Sequence, residues 1–252
     1  MTAGRRTASI WATCATLLGV AAIAAPSPTL AAPNVLRQGV LRNRAADAAG
    51  PVLARYVSEQ GRTFVLDRSQ GRAMLKFEDS PEVWALLPSP APRGDVIYKN
   101  DLGEPMLRAT RLGGFTLFSE TRPNGEAVSM VGAGGALRLP FVGPQALGER
   151  LLQASYRAGR AARHSILFQA EATPASSALI GDAAVITTLA ILRIAQRKDA
   201  EGQLAGVTKV LFEEGRKVSA TCSGGVLRIV IVPSEGVAGR PSSQRIEHAL
   251  RK

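Results

Sequence analysis

Cysteine and histidine are the scarcest chemistry-bearing residues of this 252-residue chain, with two of each. Cys14 precedes most of an apolar N-terminal run and lacks the surroundings of a lipoprotein attachment cysteine, so a chain that loses this run keeps Cys222 alone. One cysteine closes no intramolecular disulfide, and stability has to come from buried apolar surface. Two histidines and one cysteine argue against a zinc site made of protein ligands alone. No G-x-S-x-G, S-x-x-K or H-E-x-x-H string occurs to support hydrolytic chemistry. His164 reads as a boundary residue between a helix and a strand, and His248 as a solvated cation in the last turn of a terminal helix. Cys222 ends a strand before Ser223 and two glycines, with no histidine or helix start beside it to favour a thiolate, and reads as inert. On these grounds no catalytic residue, metal ligand or cofactor is assigned.

Aromatic residues are also few, 5% of the chain. Once the N-terminal run is removed Trp84 is the sole tryptophan, and most Phe and Tyr alternate in strand patterns, so stacking platforms for nucleic acid are missing. The glycines of "VGAGGALRLP" (131–140) do not make a dinucleotide loop, because Leu137 stands where the third glycine belongs and no helix follows. Beyond the N-terminal run no segment approaches eighteen consecutive apolar residues, which predicts a soluble or peripheral mature protein without a transmembrane span.

Acidic residues are outnumbered, 20 against 31 basic, for a net charge of +11. Arg5 and Arg6 precede the apolar run from Ile10 to Ala25, and Thr29 and Ala31 supply the small residues a signal peptidase needs. The pattern predicts a signal peptide over 1–31, cleaved after Ala31, and a periplasmic or secreted location. Without the two signal arginines the excess is nine. A basic exported protein meets anionic envelope components first, namely lipid headgroups, lipopolysaccharide and peptidoglycan. Arginine-favouring codon usage produces the same excess, so charge alone does not decide the partner.

Residues 32–50 read as a leader or short helix. From Val52 to Gly143, nine short segments with period-two alternation or β-branched and aromatic enrichment are separated by turns rich in Gly, Pro, Asn and Asp. They predict an antiparallel β meander over 51–143, as a roll, sandwich or small barrel. Within it, "DVIYKNDLGEPMLRAT" (95–110) reads as a hairpin about the turn "NDLG". Its acids Asp95, Asp101 and Glu104 lack the spacing of a calcium loop. Carboxylate pairs for a hydrolase could come from Asp67, Glu78, Asp79, Glu82 or Asp95, although sequence cannot bring any two together.

From 144 to 252 the reading changes to helix, strand, helix, three strands and helix, so the fold class is α+β. In "PQALGERLLQASYRAGRAAR", Leu147, Leu151, Ala158 and Ala162 share one face, while Arg150, Arg157, Arg160 and Arg163 lie on the opposite arc. These four arginines are the candidate anion-binding residues. The apolar face lacks Trp and Phe, which suits packing on a sheet better than insertion into a bilayer. "TPASSAL" reads as a linker, "GDAAVITTLAILRIAQRKDAEG" as a helix with Asp182 near its start, and "RPSSQRIEHALRK" as a short basic helix opened by Pro241 and its serines.

The stretch "PEVWALLPSPAPRGDVIYKNDLGEPMLRATRLGGFTLF" together with "GRPSS" near the C terminus resembles an uncharacterised family of exported alphaproteobacterial proteins, catalogued as a domain of unknown function. The resemblance implies a signal peptide and a shared fold, and carries no activity. The functional expectation is a non-enzymatic, envelope-associated binding or assembly factor with a basic surface. The alternative is a periplasmic hydrolase with an acidic site built from loops.

Overall fold

Alternation of apolar and polar residues closes the first half into an antiparallel barrel of eight strands. These are β1 (Leu53–Ser58), β2 (Thr63–Asp67), β3 (Ala73–Phe77), β4 (Val83–Pro90), β5 (Val96–Lys99), β6 (Pro105–Ala109), β7 (Phe115–Ser119) and β8 (Arg122–Ala133). The structure, a computed structural model, describes residues 50–251. The expected signal peptide and, except for Gly50, the expected leader lie outside the described residues. In β1, Ala54, Tyr56 and Ser58 are buried while Arg55 is exposed, the signature of a strand with one face on a core. Phe64, Leu75, Leu86, Tyr98, Leu107 and Leu117 are fully buried in the barrel core, each such apolar side chain contributing roughly 1.5–3 kcal/mol relative to exposure.

The hairpin expected over 95–110 is present as β5 and β6, with Val96 opposite Ala109 and Tyr98 opposite Leu107. Asn100 organises its turn: the side-chain Oδ1 accepts from the N–H groups of Leu102 (3.0 Å) and Glu104 (2.9 Å). Gly103 takes φ +86° there, a conformation that favours glycine.

The ninth segment, 136–143, is not a strand. β8 pairs with β1, so the closed barrel has no free edge to offer it. The segment is held by Leu137, whose N–H donates to Asp67 Oδ2 (2.9 Å), and it then delivers Leu139 and Val142 to a different core.

That second core lies on a four-stranded sheet formed by β9 (Leu167–Ala170), β10 (Lys209–Glu214), β11 (Ser219–Ser223) and β12 (Val226–Ile231) in the order β11-β12-β10-β9. The three strands expected near the C terminus thus gain β9 as a fourth, parallel to β10. The helices are α1 (Pro144–Ala162), α2 (Ser177–Ala195), the short α3 (Ala200–Leu204) and α4 (Ser243–Leu250). α2 begins five residues before Asp182, inside the stretch expected to be a linker, because a turn from Thr173 to Ser177 leads into it: the N–H groups of Ser176 and Ser177 both donate to the Thr173 carbonyl. It ends at Ala195, ahead of Arg197 and Lys198, and Gly202 falls in α3. By length and mean hydropathy, 1.8, α2 resembles a membrane span, yet Ile180, Ile186, Ile191 and Ile194 are fully buried in the second core.

The halves therefore have separate apolar cores. Several polar contacts link them. Arg240, buried beside α4, ion-pairs with Asp182 of α2 and donates through Nη2 to the Val83 carbonyl of β4 (3.0 Å). Asp101, from the β5–β6 turn, accepts from Ser242 N–H (3.0 Å) and Arg245 Nε (2.8 Å).

Candidate functional site

Two basic surfaces stand out, the outer face of α1 and a cleft between the barrel and α2 and α4. On α1 the buried side is Leu147, Ala154 and Ala158, with Leu151 and Ala162 packed partly against the same core. Arg157, Arg160 and Arg163 are exposed, and Arg163 terminates the helix in the left-handed conformation. Arg150 is set differently, half-buried with its side chain lying against Gly181 of α2. The arginines share this surface with apolar groups, of which Leu167 comes from outside the helix. Leu152 and Tyr156 are 72% and 64% exposed, and Leu167 at the start of β9 is half exposed. Together with Arg160 and Arg163 they line an open groove of about 650 Å³. The Arg160 guanidinium stands 5.8 Å from the Tyr156 ring centroid.

His164 sits at the end of this helix, as its boundary assignment expects. Its Nδ1 faces the Ala162 carbonyl (2.9 Å) and its Nε2 the Val207 carbonyl (2.8 Å), pinning the α1–β9 turn to the approach of β10. Cys222 is half-buried on β11, and burial pushes its thiol up, away from a reactive thiolate.

The cleft, about 550 Å³, is walled on the barrel side by Phe77, Trp84, Met106 and Phe118, with Glu104, Glu120 and Arg62 also on that side and the Arg62 guanidinium lying over the Phe77 ring. α2 supplies Arg193, with Arg197 just beyond its end, and α4 supplies Gln244, Glu247 and His248, with Arg251 just beyond its end. Glu247 is the hub. Its carboxylate faces Arg197 at 2.6 Å, Arg251 at 3.4 Å and Arg193 at 3.6 Å. Three guanidiniums thus share one carboxylate, and this wall carries an excess of positive charge. Behind it, Glu82 at the head of β4 is fully buried and accepts from both the N–H and the Oγ of Ser243. Burial pushes the Glu82 carboxyl above its ordinary range, more than the Ser243 hydrogen bonds and the nearby Arg240 and Arg193 pull it down.

The five carboxylates considered for hydrolysis are engaged elsewhere. Asp67 holds Ser69 and Leu137, Glu78 pairs with Arg55, Asp79 with Arg62, Glu82 with Ser243, and Asp95 with Arg108. Among the described residues no three acidic, histidine or cysteine side chains gather as a metal site would require. Sequence reasoning missed the cleft because its arginines come from separate elements. The only local signals are the four-residue spacings of Arg193 to Arg197 and of Glu247 to Arg251.

Residues 35–250 match the family described as "Domain of unknown function (DUF4908)", and the chain belongs to that family. No curated protein and no solved structure matches it.

Proposed function

We propose that this member of the DUF4908 family is exported to the periplasm, cleaved near Ala31, and acts there as a non-enzymatic binding or assembly factor whose basic α1 face docks on anionic envelope components. The observation that carries the reading is the side-by-side exposure of Arg157, Arg160 and Arg163 with Leu152, Tyr156 and Leu167. Arginines near an anionic leaflet contribute about 1 kcal/mol each, and an exposed tyrosine suits the headgroup level. Arg150, closer to α2, stands at the margin of this face and adds to its field. The engagement of the candidate carboxylates in structural bonds favours binding over the alternative of an acidic hydrolase.

Lipid headgroups are the partner this mixture fits first, with lipopolysaccharide and peptidoglycan as further anionic surfaces. Co-sedimentation of the mature chain, residues 32–252, with vesicles of 30% phosphatidylglycerol, with neutral vesicles and with sacculi tests it. Binding to the anionic vesicles that high salt abolishes is expected. Reversing Arg157, Arg160 and Arg163 to Glu should weaken it about 100-fold or more, from three lost contributions of that size. Equal binding to neutral and anionic vesicles, or no loss in the triple variant, overturns the proposal.

A further inference from the structure

We propose that the cleft between the barrel and α2 and α4 is a binding site for a small dianion, a phosphate monoester or a dicarboxylate, carrying an uncharged ring-sized body. This site is separate from the α1 face and does not depend on it. Its volume, about 550 Å³, falls within the range of small-molecule sites.

The charge argument begins at Glu247. Arg193, Arg197 and Arg251 surround this one carboxylate, which leaves two positive charges uncompensated by it. Arg197 and Arg251 each bond Glu247 through Nη2 alone, so among the described residues their Nε and Nη1 groups have no protein acceptor. Guanidiniums present such donors in a fixed fork that matches carboxylate and phosphate oxygens. Each of the two arginines is more than a third exposed, so those donors are open to the cleft. The excess is local to the α2 and α4 wall: Glu82, buried behind Ser243, stands 4.0 Å from Arg193 alone of the three, and Glu104 and Glu120 lie on the barrel side of the cleft, whereas Arg197 and Arg251 pair with Glu247.

The position of the cations is fixed as well as their charge. Arg193 is anchored by its Nη1, which donates to Ser243 Oγ at 2.7 Å. Ser243 in turn is locked on Glu82 of the barrel, so the two halves hold the arginine wall opposite Trp84 and Phe118. Those rings give the body of a ligand an apolar surface, and Gln244, held by the Asn100 amide at 2.6 Å, adds a polar floor. Arginines on one wall and aromatics on the other describe a ligand with a charged head and a flat or apolar tail.

Trp84 lines the site and is one of two tryptophans in the chain, so a full-chain Trp11→Phe protein reports on the cleft alone. Its emission is followed on titration with phenyl phosphate, phthalate and, as a neutral control, benzyl alcohol, at constant ionic strength. A saturable change with phenyl phosphate or phthalate and none with benzyl alcohol is expected, and the stronger of the two identifies the head group. Affinity should fall at least tenfold in Arg197→Gln and in Arg251→Gln, and remain unchanged in Arg216→Gln, exposed in the β10–β11 turn. Arg251 is the most exposed of the three, so its variant decides the matter if Arg197→Gln unfolds. Absence of saturation with both dianions, or equal affinity in the two cleft variants and the parent, overturns the proposal. Neither result bears on vesicle binding, which the α1 variants test separately.

Discussion

Ser243 bonds Glu82 at two points: its N–H donates to Oε1 at 2.8 Å and its Oγ to Oε2 at 2.5 Å. The pair joins the first turn of α4 to the start of β4, and both residues are buried. Removing the hydroxyl in Ser243→Ala leaves Glu82 with one of these donors, and a cost of about 1–3 kcal/mol is expected in urea unfolding.

The same pair gives a pH signature. Burial holds the folded Glu82 carboxyl above its unfolded value, so between the two values the folded state binds more protons. Stability from this group therefore falls as pH rises from about 4.5 upward. Glu82→Gln cannot ionise and removes that slope. The stability of the variant relative to the parent should improve steadily as urea melts are moved from acid to neutral pH; a constant difference would count against a buried, ionising Glu82.

Asp67 works in the opposite sense. It too is buried, which by itself raises its pKa, but the Ser69 side chain and the N–H groups of Leu137 and Ser69 outweigh that and hold it below the usual range. Its contribution is present above the unfolded value and lost as pH falls through the folded one. Asp67→Asn should cost about 1–2 kcal/mol at neutral pH, and the gap to the parent should close in strong acid. Thermal melts at both extremes provide the check.

The strands of the barrel were legible because period-two patterns and turn residues are local properties. "NDLG" and its flanking Val96, Tyr98 and Leu107 contain all that the β5–β6 hairpin needs. Closure was not legible, because it depends on β1 meeting β8 some seventy residues later, and that closure is what denies residues 136–143 a place in the sheet. The start of α2 was hidden by "TPASSAL", whose small polar residues resemble a linker yet form the turn that leads into the helix. Of the four arginines read on one helix, Arg150, Arg157 and Arg160 lie in α1 and Arg163 caps its end in the left-handed conformation, while Arg150 lies closer to its neighbour than the wheel suggests. The cleft was out of reach, since Trp84, Arg197 and Arg251 share no local pattern and meet only because "GRPSS" docks the second half on β4.

Within that docking segment Gly239 has a packing reason. A Cβ there would stand 2.0 Å from the Val232 carbonyl oxygen, and Gly239 O already accepts from Val232 N–H at 2.7 Å. Gly239→Ala should destabilise by about 1–3 kcal/mol or more, as overpacking does. Gly148 on α1 is the control, because a Cβ there meets nothing within 4 Å. Gly148→Ala should stabilise by about 0.5–1 kcal/mol through helix propensity. Chemical denaturation of the two variants should give shifts of opposite sign, and a neutral or stabilising Gly239→Ala would count against this packing role.

Arg240 offers the sharpest test of how the halves are held together. Its side chain is 2% exposed, and it bridges Asp182 in the second core's central helix to the Val83 carbonyl in the barrel wall. Arg240→Ala leaves a partly buried Asp182 and a barrel carbonyl without their partner, and removal of one member of a buried pair costs about 3–5 kcal/mol. Arg240→Lys keeps the charge, but a single ammonium on a flexible stem lacks the planar fork that reaches both acceptors. The lysine variant should therefore fall between the parent and the alanine variant. Trp84, beside this junction on β4, provides the readout: if the bridge couples the halves, its emission and the far-ultraviolet circular dichroism change together in the parent. In Arg240→Ala they should separate, because Trp84 belongs to the barrel core and then reports the barrel alone, while the circular dichroism follows both halves. A single coincident transition in the alanine variant, with stability within about 1 kcal/mol of the parent, would mean that the remaining Asp101–Arg245 and Glu82–Ser243 contacts suffice to hold the junction.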